Sequence, residues 1–119
     1  RASNQSFGDF LKKNIFDPLE MKETFFEVPN SKQARMIDLY AHKKGFKEYG
    51  VDVPDSIASQ KNKLILLDPK EDSFFFQGAS IEDGGSGLVS TANDYLKFAT
   101  MLLNKGSFNG KRILNPETV

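Results

Sequence analysis

Gly84-Gly85-Ser86-Gly87-Leu88-Val89-Ser90-Thr91-Ala92-Asn93-Asp94-Tyr95 joins a glycine-rich run to the start of a helix, and its reading decides the fold. Thr91 and Asp94 have capping-box spacing, the hydroxyl accepting from a free N–H while the acid reaches back. Tyr95, Phe98, Ala99 and Leu102 follow on one helical face, and Gly106 after Asn104-Lys105 supplies a left-handed terminator. Upstream, glycines permit close backbone approach, and the helix start offers N–H groups at its positive end. A nucleophile elbow needs Gly-x-Ser-x-Gly, but Leu88 stands two residues after Ser86. A dinucleotide fingerprint needs a glycine where Ser90 stands, and no clean strand precedes the run. The residues alone read as a glycine-rich turn entering a capped helix.

Downstream, Asn109-Gly110 is a two-residue hairpin signal joining Ser107-Phe108 to Arg112-Ile113-Leu114. Asn115-Pro116-Glu117 then reads as a helix start, two residues before Val119. A helix signal cut short points to a piece of a longer protein, so residues 1–119 are expected to form a single fragment or subdomain. Upstream, Ser6-Phe7-Gly8-Asp9 predicts a capped helix from Phe7 to Ile15, stopped at Asp17-Pro18. Leu19 to Val28 reads as a compact turn and short extended piece. Asn30 or Ser31 opens a second expected helix through Gln33, Ala34, Ile37 and Tyr40, closing near Gly45 behind His42, Lys43 and Lys44. From Gly45 to Gly85 the chain reads as mostly irregular, with strand candidates at Asn62–Leu67 and Ser73–Phe76.

Composition narrows the function classes. Of 119 residues, 16 are Lys or Arg and 16 Asp or Glu, so no charge bias or basic run favours nucleic acid. With no cysteine and a lone His42, a disulfide framework, a thiolate zinc site, a cysteine nucleophile and an imidazole metal cluster are excluded, and no cofactor is expected. The longest apolar run, Leu64-Ile65-Leu66-Leu67, falls far short of the roughly 20 residues of a membrane span. The hydrophobic fraction is 39%, so the core leans on the 11 Phe. Phe74-Phe75-Phe76 is read as a buried seam before a binding patch.

A serine nucleophile needs a neighbouring base. No serine here has Ser-x-x-Lys spacing, and Tyr-x-Asn, Lys-Thr-Gly and His-x-Gly are absent. The acidic pairs Glu82-Asp83, Glu71-Asp72 and Asp52/Asp55 read as solvated loop charge, and they and Asp68-Pro69-Lys70-Glu71-Asp72 lack the pattern of a calcium loop.

The order of several segments carries more than any one of them. Phe10-Leu11, then Ile15-Phe16-Asp17-Pro18-Leu19-Glu20-Met21-Lys22-Glu23-Thr24, Val28-Pro29, Tyr40, the glycine-to-helix segment, Met101-Leu102-Leu103-Asn104 and Asn109 to Leu114 together resemble the middle of the serine β-lactamase-like proteins. That group contains class C β-lactamases, DD-peptidases and related esterases. The resemblance covers nearly the whole chain and is weakest from Gly45 to Gly78; Glu20 stands where many members have Gly. It implies acyl transfer in the parent by a serine activated by lysine and tyrosine, with backbone N–H groups holding the oxyanion. In the family the Ser-x-x-Lys and Tyr-x-Asn precede this segment and the Lys/His-x-Gly strand follows it, so no catalytic residue is assigned here. It also implies that Gly85, Ser86 and Gly87 border the substrate, with roughly Gly45 to Asp83 shaping one pocket wall.

The expected fold is therefore mainly α, with long irregular loops and one small β-hairpin, a fragment of the α-helical part of a β-lactamase/transpeptidase-like fold. The expected role is a helical substrate-pocket subdomain of a serine hydrolase, penicillin-binding or esterase in type, inert in isolation. The alternative is a non-catalytic binding module derived from that fold. Expected partners are the rest of the parent chain and, in the parent, a small ester, amide or β-lactam; nucleic acid is not expected, and self-association of the fragment is a third reading. Resemblance to such enzymes points to a bacterial-type envelope or secreted parent.

Overall fold

Ser6 starts the first helix as the sequence requires: its Oγ accepts from Asp9 N at 3.0 Å, and helix α1 spans Phe7–Leu11. The computed structural model describes residues 4–42, 64–77 and 82–119. These fall into two units, Arg1–Val28 with Gln77–Val119, and Pro29–Phe76.

In the first unit the helical path beyond α1 widens into a π-helical turn, Lys12–Phe16, closed by Asp17 N donating to Lys12 O at 2.8 Å. The expected helix over Phe7 to Ile15 is thus present, but its second half has the wider pitch. Lys12 pairs with Asp17 at 2.6 Å, both side chains being largely exposed. A second wide bond, Met21 N to Phe16 O at 2.8 Å, folds the following turn back. That turn places Phe16, Leu19 and Met21 against Met101 of helix α2, Ala92–Leu103. Leu19 and Met101 are fully buried, and each such side chain contributes about 1.5–3 kcal/mol. Leu11, Ile15, Phe98, Phe108 and Leu114 pack around them.

Helix α2 ends as predicted at Gly106, with φ +86°. Gly106 O then accepts from both Ile113 N and Leu114 N, and β1 (Ser107–Phe108) pairs antiparallel with β2 (Lys111–Arg112) across Asn109-Gly110. No described helix is long and apolar enough to cross a membrane.

The second unit departs from expectation. The helix expected from Asn30 toward Gly45 stops after one turn, α3 (Asn30–Gln33), and Leu39–His42 forms strand β3 instead. It pairs antiparallel with β4, Leu64–Asp68, setting Tyr40 opposite Leu66 and Ala41 opposite Ile65. Long-range pairing overrides the helical spacing of Ile37 and Tyr40. Asp38 supports the strand entry, its Oδ1 accepting from Lys70 N at 3.0 Å. The expected single hairpin is therefore joined by a second antiparallel pair among the described residues. The strand expected at Ser73–Phe76 is a 3-10 turn over Phe74–Phe76, started when Asp68 accepts from Ser73 Oγ and Phe74 N. The Phe74 and Phe75 rings stack at 3.9 Å, yet Phe74 is 59% exposed, so this cluster is not a fully buried seam. Gly45, Asp52, Asp55, Asn62 and the helix end expected near Lys43-Lys44 lie outside the described residues.

Two backbone positions yield tests. Glu20 sits at φ +57°, a conformation that costs a side-chain residue about 1–2 kcal/mol. Glu20→Gly should raise stability by about 1 kcal/mol despite the added unfolded-state freedom, seen as a higher urea midpoint. At Gly106 a Cβ would run into the backbone oxygen of Leu114. Gly106→Ala should cost about 2–3 kcal/mol, and an unchanged urea midpoint would contradict this packing.

Candidate functional site

Asp94 lies at the centre of the first unit's polar interior, 1% exposed. Thr91 caps α2 as the spacing predicts, its Oγ1 accepting from Asp94 N at 3.3 Å. The Asp94 carboxylate, however, turns into the fold. Oδ2 accepts from Glu23 N at 2.7 Å and Thr24 Oγ1 at 3.1 Å, and Oδ1 from Lys97 Nζ at 2.9 Å. Thr24 Oγ1 also meets Ser90 Oγ at 2.8 Å, and Lys97 donates onward to Glu20 O at 2.5 Å. One carboxylate thus fastens the Pro18–Thr24 turn to the start of α2.

The glycine-rich segment hangs from this fastening. Phe25 and Val89 exchange backbone hydrogen bonds at 2.9 and 2.8 Å, fixing its downstream end. Gly87 takes φ +89°, and a Cβ there would lie in ordinary contact with the Phe26 ring at 3.5 Å. Phe26 packs on Phe7 with ring centroids 6.0 Å apart. Upstream, Asp83 Oδ1 accepts from Gly85 N at 3.0 Å and Oδ2 from Ser86 Oγ at 3.1 Å. Those donors, Gly85 first, then Ser86 and Gly84, hold the exposed Asp83 carboxyl below its ordinary pKa. Such a carboxylate is a weak base, so the Ser86 hydroxyl is held in place rather than activated.

Within the first unit a cleft of about 420 Å³ is bordered by Gly8, Lys12, Thr24, Phe25, Phe26 and Glu82. Glu82 shapes its edge by accepting from Gly8 N at 2.5 Å. The reading of Glu82 as solvated charge is thereby corrected, because it is half-buried and fixes a helix end. Asp68 is buried and orders the 3-10 turn of the second unit. Glu71 and Asp72 are exposed as expected, while Asp52 and Asp55 lie outside the described residues. The described residues hold no cluster of three or more His, Cys, Asp or Glu suited to a metal ion. His42 ends strand β3 instead of a helix.

Gly85, Ser86 and Gly87 thus form one short loop, exposed at Gly85 and Ser86 and half-buried at Gly87. Sequence reading missed the partners that shape it: Asp83, Phe26 and the inward carboxylate of Asp94. Asp83 was detectable, since an Asp two residues before a free N–H in a glycine turn is an Asx-turn signal. Phe26 was not, because nothing local links it to residue 87.

A family model described as Beta-lactamase matches residues 1–119. The chain belongs to the Beta-lactamase family. Two Mycobacterium tuberculosis proteins, Uncharacterized protein MT1414 of strain CDC 1551 / Oshkosh and Protein Rv1367c of strain ATCC 25618 / H37Rv, are each 54% identical to it over 119 residues. These matches take in 100% of this chain and 25% of each relative, so the chain spans a quarter of the length of those relatives. The middle-segment resemblance within the Beta-lactamase family is borne out at that level.

Burial is the largest single influence on Asp94 and pushes its pKa up. The hydrogen bonds from Lys97, Glu23 and Thr24 and the Lys97 charge outweigh it, so the net displacement is downward. With the folded pKa below the unfolded value of about 3.9, the stabilisation is complete above that value and is lost as pH falls through the folded pKa. Asp94→Asn should cost about 2–3 kcal/mol at neutral pH and flatten the acid limb of a stability-against-pH curve. An acid limb as steep as the parent's would remove Asp94 from that role.

Proposed function

We propose that this chain is the helical, pocket-forming part of a serine hydrolase of the β-lactamase/DD-peptidase/esterase type. Acyl transfer in the longer protein belongs to a Ser-x-x-Lys serine and a Tyr-x-Asn tyrosine outside this chain, and the chain by itself is inert. The observation that carries the reading is the pinned glycine loop. In a chain of the Beta-lactamase family, Asp83 at one end and the Phe25–Val89 bridge at the other hold Gly85, Ser86 and Gly87 in a fixed loop, whose Gly87 lies against Phe26, a residue that lines the open cleft.

The chemistry fits a rim. A substrate wall needs backbone that approaches closely without side-chain bulk, and Gly85 and Gly87 provide it. Ser86 contributes shape and a polar hydroxyl already committed to Asp83. The substrate class is a small ester, amide or β-lactam, and the main partner of this piece is the remainder of its parent chain.

Incubation of the 119-residue chain with a penicillin and with an activated ester, followed by intact mass measurement, should return the unmodified mass. A stable acyl adduct on any serine would end the proposal that the nucleophile lies elsewhere.

A further inference from the structure

We propose that Asn109 is a self-modifying position, the asparagine of this chain that deamidates first. Asn109-Gly110 forms the tip of the β1–β2 ribbon, with φ +47° and +78°, the two positive values of a type I′ turn. Both residues are exposed, and a Cβ on Gly110 would meet nothing within 4 Å. The ribbon holding the tip is two residue pairs long, Ser107 with Arg112 and Phe108 with Lys111. A ribbon that short opens at small local cost, which lets Asn109 rotate until the Gly110 nitrogen faces its side-chain carbonyl carbon.

The reaction needs only water. The Gly110 backbone nitrogen gives up its proton and attacks Cγ of Asn109; the N–Cγ bond forms, the Cγ–Nδ2 bond breaks, and Nδ2 leaves as ammonia. Water then opens the cyclic imide at one of its two carbonyls, leaving aspartate or isoaspartate at position 109. Glycine at 110 removes the side chain that would crowd the attacking nitrogen.

Asp83 precedes Gly84 and offers the same ring closure. Its carboxyl, engaged by Gly85 N and Ser86 Oγ, is ionised in neutral and alkaline buffer, and a carboxylate is a far poorer electrophile than the Asn109 amide.

The products differ in consequence. Aspartate tolerates the left-handed turn position, so the hairpin survives with one added negative charge, taking the formal net charge from +0 to −1. Isoaspartate routes the main chain through an extra methylene. The two-residue turn then loses its register, and with it the ribbon that brings Ile113 and Leu114 to Gly106 O.

The test is incubation of the 119-residue chain in mildly alkaline buffer, with peptide mapping by mass and isoaspartate quantification over time. The expected result is a gain of one mass unit at Asn109 ahead of Asn30, which precedes Ser31, with isoaspartate at Asp83 forming more slowly than at Asn109. Asn109→Asp should keep the parent's urea midpoint, while the isoaspartate fraction of aged protein shows a lowered one. Modification of Asn30 first, or isoaspartate at Asp83 in the folded chain as fast as at Asn109, would overturn the proposal.

Discussion

A buried negative charge governs the first unit. An ionised carboxylate taken out of water is costly unless it is paired and hydrogen-bonded, and Asp94 is 1% exposed. Its stabilisation comes from Glu23 N, Thr24 Oγ1 and Lys97 Nζ, so the Pro18–Thr24 turn and the first turns of α2 must arrive together. Lys97 extends the requirement by also donating to Glu20 O, which helps hold Glu20 in a backbone conformation that glycine adopts more readily. The left-handed turn is tolerated because its carbonyl is needed where it stands. One residue beyond Thr24, the Phe25–Val89 bridge converts this clamp into a fixed entry for the glycine loop.

That loop is restrained at three points of different character. Asp83 holds its start by hydrogen bonds, Gly87 bends its middle over the Phe26 ring, and Val89 locks its end. Restraint of this kind suits a wall more than a reacting group, because a hydroxyl donating to an ionised neighbour gains position and no useful base. The Ser86 hydroxyl is thus positioned by Asp83, and Ser86 has Val89, not lysine, three residues on.

Much of the first unit was legible because its signals are local. Ser6 and Thr91 cap their helices from one turn away, Gly106 ends α2, and Asn109-Gly110 turns the ribbon, each decided within a few residues. The illegible features depend on distant partners. Asp94 had the spacing of an N-terminal acid, yet its carboxylate answers to Glu23, some seventy positions away in sequence. Leu39–His42 took its strand conformation from Leu64–Asp68, against a helical pattern that was locally consistent. The π-helical turn at Lys12–Phe16 has no local sequence signature, because its wider pitch follows from seating Phe16 beside Leu19 and Met101. Within the site the glycines were visible and Asp83 carried a local Asx-turn signal, whereas Phe26, remote in sequence from Gly87, was not.

Clamping residues 23 and 94 together closes a loop of 71 positions, and the closure entropy of such a loop rises only slowly with length, by about 0.6 kcal/mol per doubling. Hydrogen bonds to a charged group contribute about 1.5–3 kcal/mol each, so the Asp94 clamp absorbs large changes in the length of the enclosed chain. The second unit, Pro29–Phe76, lies wholly inside that loop, and it contains most of the stretch from Gly45 to Gly78 where the family pattern is faintest. Its turn is ordered by its own buried Asp68 and Ser73, without help from the clamp residues. A scaffold arranged in this way can vary the length of the enclosed chain while the turn, the capped helix and the glycine loop remain fixed by the same carboxylate.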